Sequence, residues 1–239
     1  MSPGSLQPTV AAGALVVSLD SALFDLRPAL AAALAAALLR YRAIAGARPT
    51  VEALLEGLPA DACTPGHVLD LGVAVLRALA AGRPYPPRPD APIAPDAAVD
   101  RAVLARLVAE CWLGGSLYAA LTDTESAAPA EAGHIHDARP RPDGLALLRK
   151  ARAASRPTAI ITALPGPEAL YLLAGHGMTA AADQVVTTDP AQRASTPRVV
   201  EALERLGVAE AELHSAAPAD HAQLADYMSS RMARLSKRV

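Results

Sequence analysis

The run Gly13-Ala-Leu-Val-Val-Ser18-Leu-Asp20 constrains this chain more than any other stretch. Ala14 to Val17 is continuously apolar and stops at once in polar Ser18 and Asp20. A short apolar run that ends in turn chemistry reads as a strand buried on both faces, the kind found in parallel sheets. Parallel strands need long crossover connections, usually helices, which the rest of the chain must supply. In open sheets of this kind ligands bind beyond the carboxyl ends of the strands, so Ser18 and Asp20 become the first candidate site residues.

Thr158-Ala-Ile-Ile161, ending in Thr162, has the same character, and Gln184-Val-Val-Thr187 and Ala211 to His214 read as a third and a fourth strand. Helix-period segments alternate with them, over Asp143 to Ser155, Pro165 to His176, Thr196 to Leu206 and Ala219 to Leu235. Strand and helix alternating at this spacing predict an α/β fold, a Rossmann-like parallel sheet core with helices on both faces. Between the first strand and the others every periodic segment is helical. Arg27 to Gly46 is Ala- and Leu-rich with Pro28 in its first turn, and Thr50 caps a short helix to Leu58. Thr64 opens a third helix through Val68, Leu71, Val75, Leu76 and Leu79, and Asp100 caps a fourth, interrupted by Gly114-Gly115. The expected division is an α/β core over 1–25 and 140–239 with an inserted α-helical cap over 26–139. Proline-dense Arg83 to Pro95 suits a surface loop, or alternatively a polyproline ligand for a partner domain.

Charge and composition exclude several classes. A net charge of -2 gives no electrostatic footprint for nucleic acid or an anionic membrane. No apolar run approaches the roughly 18 residues of a membrane span, and Met1 to Thr9 lacks the basic start of a secretory signal. Cys63 and Cys111 make neither a disulfide framework nor a zinc site. The expectation is a cytoplasmic protein. His134-Ile-His136-Asp137 has no identifiable third metal ligand, so its histidines are expected to face solvent at the subdomain boundary. His214 and His221 are expected to be structural. No Gly-x-Gly-x-x-Gly follows the first strand, which disfavours a dinucleotide.

Ser18-Leu-Asp20-Ser-Ala-Leu23 resembles the first signature of the haloacid dehalogenase-like (HAD-like) phosphatase superfamily, an apolar strand followed by Asp-x-Asp-Gly-Thr-Leu. The strand, the second Asp and the Leu match, while Ser18 stands where the family has its nucleophilic Asp. Ile160-Ile161-Thr162 is similar to the second signature. Counting back from the helix end at Glu201 to Val208 places Arg193 at the third signature's Lys. Ser215 to Asp220 is similar to the fourth, Gly-Asp-Ser-x-x-Asp, with Ala216 where the family has a magnesium-binding Asp. In order and spacing the chain resembles the capped, phosphoglycolate-phosphatase-like branch. That resemblance implies Asp20 as general acid and base, Thr162 and Arg193 as phosphate-binding residues, Asp220 as a metal ligand, and Mg2+ as cofactor if the site is active.

The departures decide the expected function. A serine hydroxyl is a weak nucleophile without an adjacent base, and magnesium wants oxygen ligands that include one or two carboxylates. With Ser18 and Ala216 the expectation is a pseudoenzyme: a HAD-like hydrolase fold with weak or lost phosphatase activity, kept to bind a small phosphorylated molecule or a protein partner. The alternatives are an active magnesium-dependent phosphomonoester hydrolase with an altered site, and an oligomerisation protein. The last would be a homodimer joined through the helix Ala29 to Leu39.

Overall fold

The computed structural model describes residues 13–41, 49–60, 63–81, 99–124, 133–187, 197–208 and 210–236. Arg193 and the whole of the proline-dense stretch 83–95 lie outside them. Four parallel strands form the sheet: β1 (Ala14–Ser18), β4 (Thr158–Thr162), β5 (Gln184–Thr187) and β6 (Ala211–His214), in the order β5-β4-β1-β6. The chain builds outward from β1 on one side, to β4 and β5, and then returns to place β6 on the other. The order therefore reverses at β1, and the crevice beyond its carboxyl end is the switch point where ligands bind in open α/β sheets. Register pairs Ser18 with Ile161 and Thr162 with Thr187, so these tips lie side by side.

The two faces of the sheet follow from the period of two along each strand. Leu15, Val17 and Ile160 point to one side, against α6 (Pro142–Ala153) and α7 (Gly166–Gly175) through Leu148, Ala169 and Leu172. Val16, Ala159 and Ile161 point to the other, against Val199, Ala202 and Leu203 of α8 (Arg198–Leu206) and, at its margin, Leu224 of α9 (Pro218–Ser236). Each buried aliphatic side chain of this size contributes about 1.5–3 kcal/mol.

Directly after β1 the chain makes a wide helical turn, Leu19–Leu23, closed by the Phe24 amide donating to the Leu19 carbonyl. No periodicity or turn signal in the sequence announces that turn. A two-residue strand, β2 (Phe24–Asp25), then pairs antiparallel with β3 (Arg139–Pro140). This pair forms a neck where the chain leaves the sheet and returns to it, tightened by the Arg141 amide on the Leu23 carbonyl at 2.7 Å.

Beyond the neck lie α1 (Arg27–Arg40), α2 (Val51–Gly57), α3 (Pro65–Ala80), α4 (Arg101–Leu113) and α5 (Gly115–Thr122). The expected caps form: Thr50 accepts from the Ala53 amide, Thr64 from His67, and Asp100 from Ala102 and Val103. Gly114, at φ 81°, separates α4 from α5 where a side chain would be strained. Helix α1 runs through the middle of this layer, with Leu30, Leu34 and Leu38 buried among α2, α3 and α4. Its apolar surface is used inside the chain, and of its large side chains Leu39 alone is exposed, at 52%. The Ala29 to Leu39 surface read from sequence as a dimer interface is therefore mostly core. Glu110, 1% exposed, is held by Arg40 at 2.6 Å and Arg106 at 2.9 Å, which keeps its buried charge paired. Among the described residues no helix is long and apolar enough to cross a membrane.

Candidate functional site

Strand geometry brings Ser18, Asp20, Thr162 and Asp220 together at the carboxyl edge of the sheet. Ser18 ends β1, and the wide turn that follows folds Asp20 back over the tip of β4. There the Thr162 hydroxyl donates to one Asp20 oxygen and the Ala163 amide to the other, at 2.6 Å. Thr162 Oγ1 also accepts from the Leu164 amide at 3.0 Å, so it shapes the turn after β4 as well as holding Asp20. Asp20 is 6% exposed. Burial pushes its carboxyl above the ordinary carboxylate range, opposed by the Thr162 hydroxyl, the Ala163 amide and Arg198.

A cation the sequence reading did not single out completes the constellation. Arg198, the first residue of α8, places one guanidinium nitrogen 3.7 Å from Asp20 Oδ2 and another 3.3 Å from Asp220 Oδ1. Asp220, in the first turn of α9, is 1% exposed, and its other oxygen accepts from the Ser215 hydroxyl at 2.6 Å. The Ala216 amide donates to Ser21 Oγ at 3.0 Å, tying the loop after β6 to the turn after β1. The signal for Arg198 was its place: a cation opening a helix after β5, on the same edge as the other tips. Counting back to the resembled motif led to Arg193 instead, which falls outside the described residues.

Ser18 is 4% exposed, and its hydroxyl has no hydrogen-bond partner among the described residues. Both Asp20 oxygens are turned to Thr162, Ala163 and Arg198. The serine thus lacks the hydrogen-bonded base that would activate it. His214 bonds Glu212 at 2.7 Å and His221 bonds the Ser215 carbonyl at 2.8 Å. His136 meets the Tyr171 hydroxyl at 3.3 Å, and His134 pairs with Asp137 at 2.9 Å within one short turn.

The residues present do not fit the magnesium ion that the resemblance implies. A hard octahedral ion needs open carboxylate oxygens. Position 18 offers a hydroxyl, position 216 a methyl group, and both oxygens of Asp220 are engaged by Arg198 and Ser215. Among the described residues no group of three or more His, Cys, Asp or Glu side chains is placed to hold a metal.

Helices of the insertion approach this edge. Cys63 is buried, and its thiol is pushed up to about 12 by burial, opposed by Arg27 and reinforced by the Asp25 and Asp20 carboxylates. Trp112 near the end of α4 reaches Glu168 in the first turn of α7. A cavity of about 580 Å³ lies at the opposite edge of the sheet, between Arg152, Arg156, Asp183 and Arg205. Each of these arginines already donates to carbonyl oxygens, and Arg156 and Arg205 also to a glutamate, so the cavity does not mark the site.

No protein-family model matches the chain, and no curated protein matches it by sequence. Solved structures do match by fold. A haloacid dehalogenase-like family hydrolase from Streptococcus pneumoniae superposes with a TM-score of 0.57 at 14% identity, over 91% of this chain and 81% of that one. A proposed phosphoglycolate phosphatase from Lactobacillus plantarum gives 0.55 at 15% identity, over 92% and 84%. A predicted phosphoglycolate phosphatase from Haemophilus somnus gives 0.54 at 12% identity, over 86% and 77%.

Proposed function

For a chain with the fold of the HAD-like phosphatases, we propose a catalytically impaired member that binds a phosphorylated ligand at the strand tips without turning it over. The observation that carries this reading is the commitment of Asp20. Its two oxygens are taken by Thr162, Ala163 and Arg198, beside a serine where an attacking carboxylate would have to stand. Phosphoryl transfer depends on positioning and on neutralising charge around the transferring group. This edge keeps a cation, Arg198, and the Ser18 hydroxyl, without a partner among the described residues, which suit holding a phosphoryl group. It lacks the nucleophile. The helical insertion over 26–139 is the cap of this reading and sets which ligand enters. Magnesium would matter only to an active form.

The test is phosphate release from a panel of phosphomonoesters with magnesium, run beside calorimetric titration with inorganic phosphate. Silence in the wild type, with phosphate heat that Arg198→Gln weakens, is the expected result. Wild-type turnover that disappears in Asp20→Asn would overturn the reading and require an active hydrolase without the usual nucleophile. Turnover appearing in Ser18→Asp/Ala216→Asp would show that the pocket is intact and only its chemistry was lost.

A further inference from the structure

We infer that Arg198 is the resident cation of this site: its guanidinium takes the place between Asp20 and Asp220 that a divalent metal would fill, so a phosphoryl group binds there without metal. The inference rests on the phosphate-binding reading and adds the absence of a metal requirement.

Geometry carries it. One guanidinium spans two carboxylates from different strand tips, at 3.7 Å and 3.3 Å. Those carboxylates are 5% and 1% exposed at the side chain, and Arg198 is 24% exposed. The acids are therefore sealed behind the cation, and the cation keeps an open face. A guanidinium is charged at any physiological pH and carries five donors in a fixed fork. The two nitrogens facing Asp220 and Asp20 leave further N–H groups for an incoming phosphoryl oxygen. A metal entering the same place would have to displace a permanently charged side chain from two buried acids, and it would gain no ligand from Ser18 or Ala216. Asp220 and Asp20 also repel each other, as the upward pull of Asp220 on the Asp20 carboxyl records, so removing the cation leaves a buried like-charge pair.

Two measurements test it on the whole chain. The first follows free hexaaquo Mn2+ by electron paramagnetic resonance during titration with protein. The wild type is expected to bind no Mn2+ with millimolar or tighter affinity, and binding there would overturn the inference while leaving the phosphate reading intact. Arg198→Gln, which uncovers two acids, is expected to acquire Mn2+ binding. The second is calorimetric titration with inorganic phosphate in EDTA and again with magnesium. Equal affinities are expected, with a loss of about tenfold or more in Arg198→Gln, the scale of one charge-assisted hydrogen bond. Arg198→Lys keeps the charge and is expected to bind phosphate still, equally in both buffers, which separates lost charge from misfolding. Binding only with magnesium would sink the metal-free claim alone. No phosphate binding in either buffer would overturn both readings together.

Discussion

Trp112 Nε1 donates to Glu168 Oε2 at 3.1 Å, joining the last turn of α4 to the first turn of α7. One partner belongs to the helical insertion and the other to the helix that follows the Thr162 tip, so this bond fastens the two layers beside the candidate site.

Burial pushes the Glu168 carboxyl up from 4.5 to about 7, opposed by the Trp112 bond. The folded state thus holds a proton that the unfolded state releases between those values, and stability falls as pH rises through that window. A shift of this size corresponds to roughly 3 kcal/mol at most. Urea unfolding at about pH 5 and about pH 8 should show the wild type weaker at the higher pH. Glu168→Gln keeps a carbonyl acceptor for Trp112 and should flatten the difference, and an unchanged slope in that variant would remove Glu168 as its source.

Asp20 and Thr162 are 142 positions apart and joined by a buried hydrogen bond. Thr162→Val removes the donor to Asp20 and the acceptor for the Leu164 amide, and is expected to cost about 1–3 kcal/mol. In a double-mutant cycle with Asp20→Asn the two changes should couple by about 1 kcal/mol or more, because they share one interaction. Additive losses would mean that Thr162 acts on its own turn only.

Gly144 in α6 lies against the wide turn after β1. A Cβ placed there would come within 2.1 Å of the Ala22 carbonyl oxygen, a backbone atom that cannot swing away. Gly144→Ala is expected to cost about 1–3 kcal/mol as the turn or the helix shifts. Since that turn carries Asp20, phosphate affinity measured by calorimetry should fall with it. Phosphate affinity that stays at the wild-type value would separate the turn's position from the site.

Cys63 is 2% exposed and its thiol is pushed up to about 12, so almost no thiolate forms near neutral pH. Titration with a coloured disulfide reagent at about pH 8 should leave Cys63 unmodified in the native protein and expose it in urea. Rapid native reaction at Cys63, identified by peptide mass, would mean that the insertion opens readily over the strand tips.

Much of the fold is local and was legible as such. The four strands expected from the sequence form, and Thr50, Thr64 and Asp100 cap helices where the sequence placed them, because capping needs only amides two or three residues away. Alternation along Leu15, Val16 and Val17 assigns each to its face by the period of a strand. The expected tip residues Ser18, Asp20, Thr162 and Asp220 come to one edge because parallel strands carry their carboxyl ends together. Tertiary structure alone decided the rest. Helix α1 carries a continuous Ala and Leu surface that reads equally as interface or core, and only the segments packed on it, α2, α3, α4 and the short turn His134–Asp137, make it core. The wide turn at Leu19–Leu23 is fixed by contacts with α6 and the loop after β6 and has no period to announce it. Arg198 meets Asp20 and Asp220 through three separate segments of chain. Coulomb attraction between groups so far apart in sequence leaves no spacing to read, so the cation at the centre of the site appears only once the strands and helices are in place.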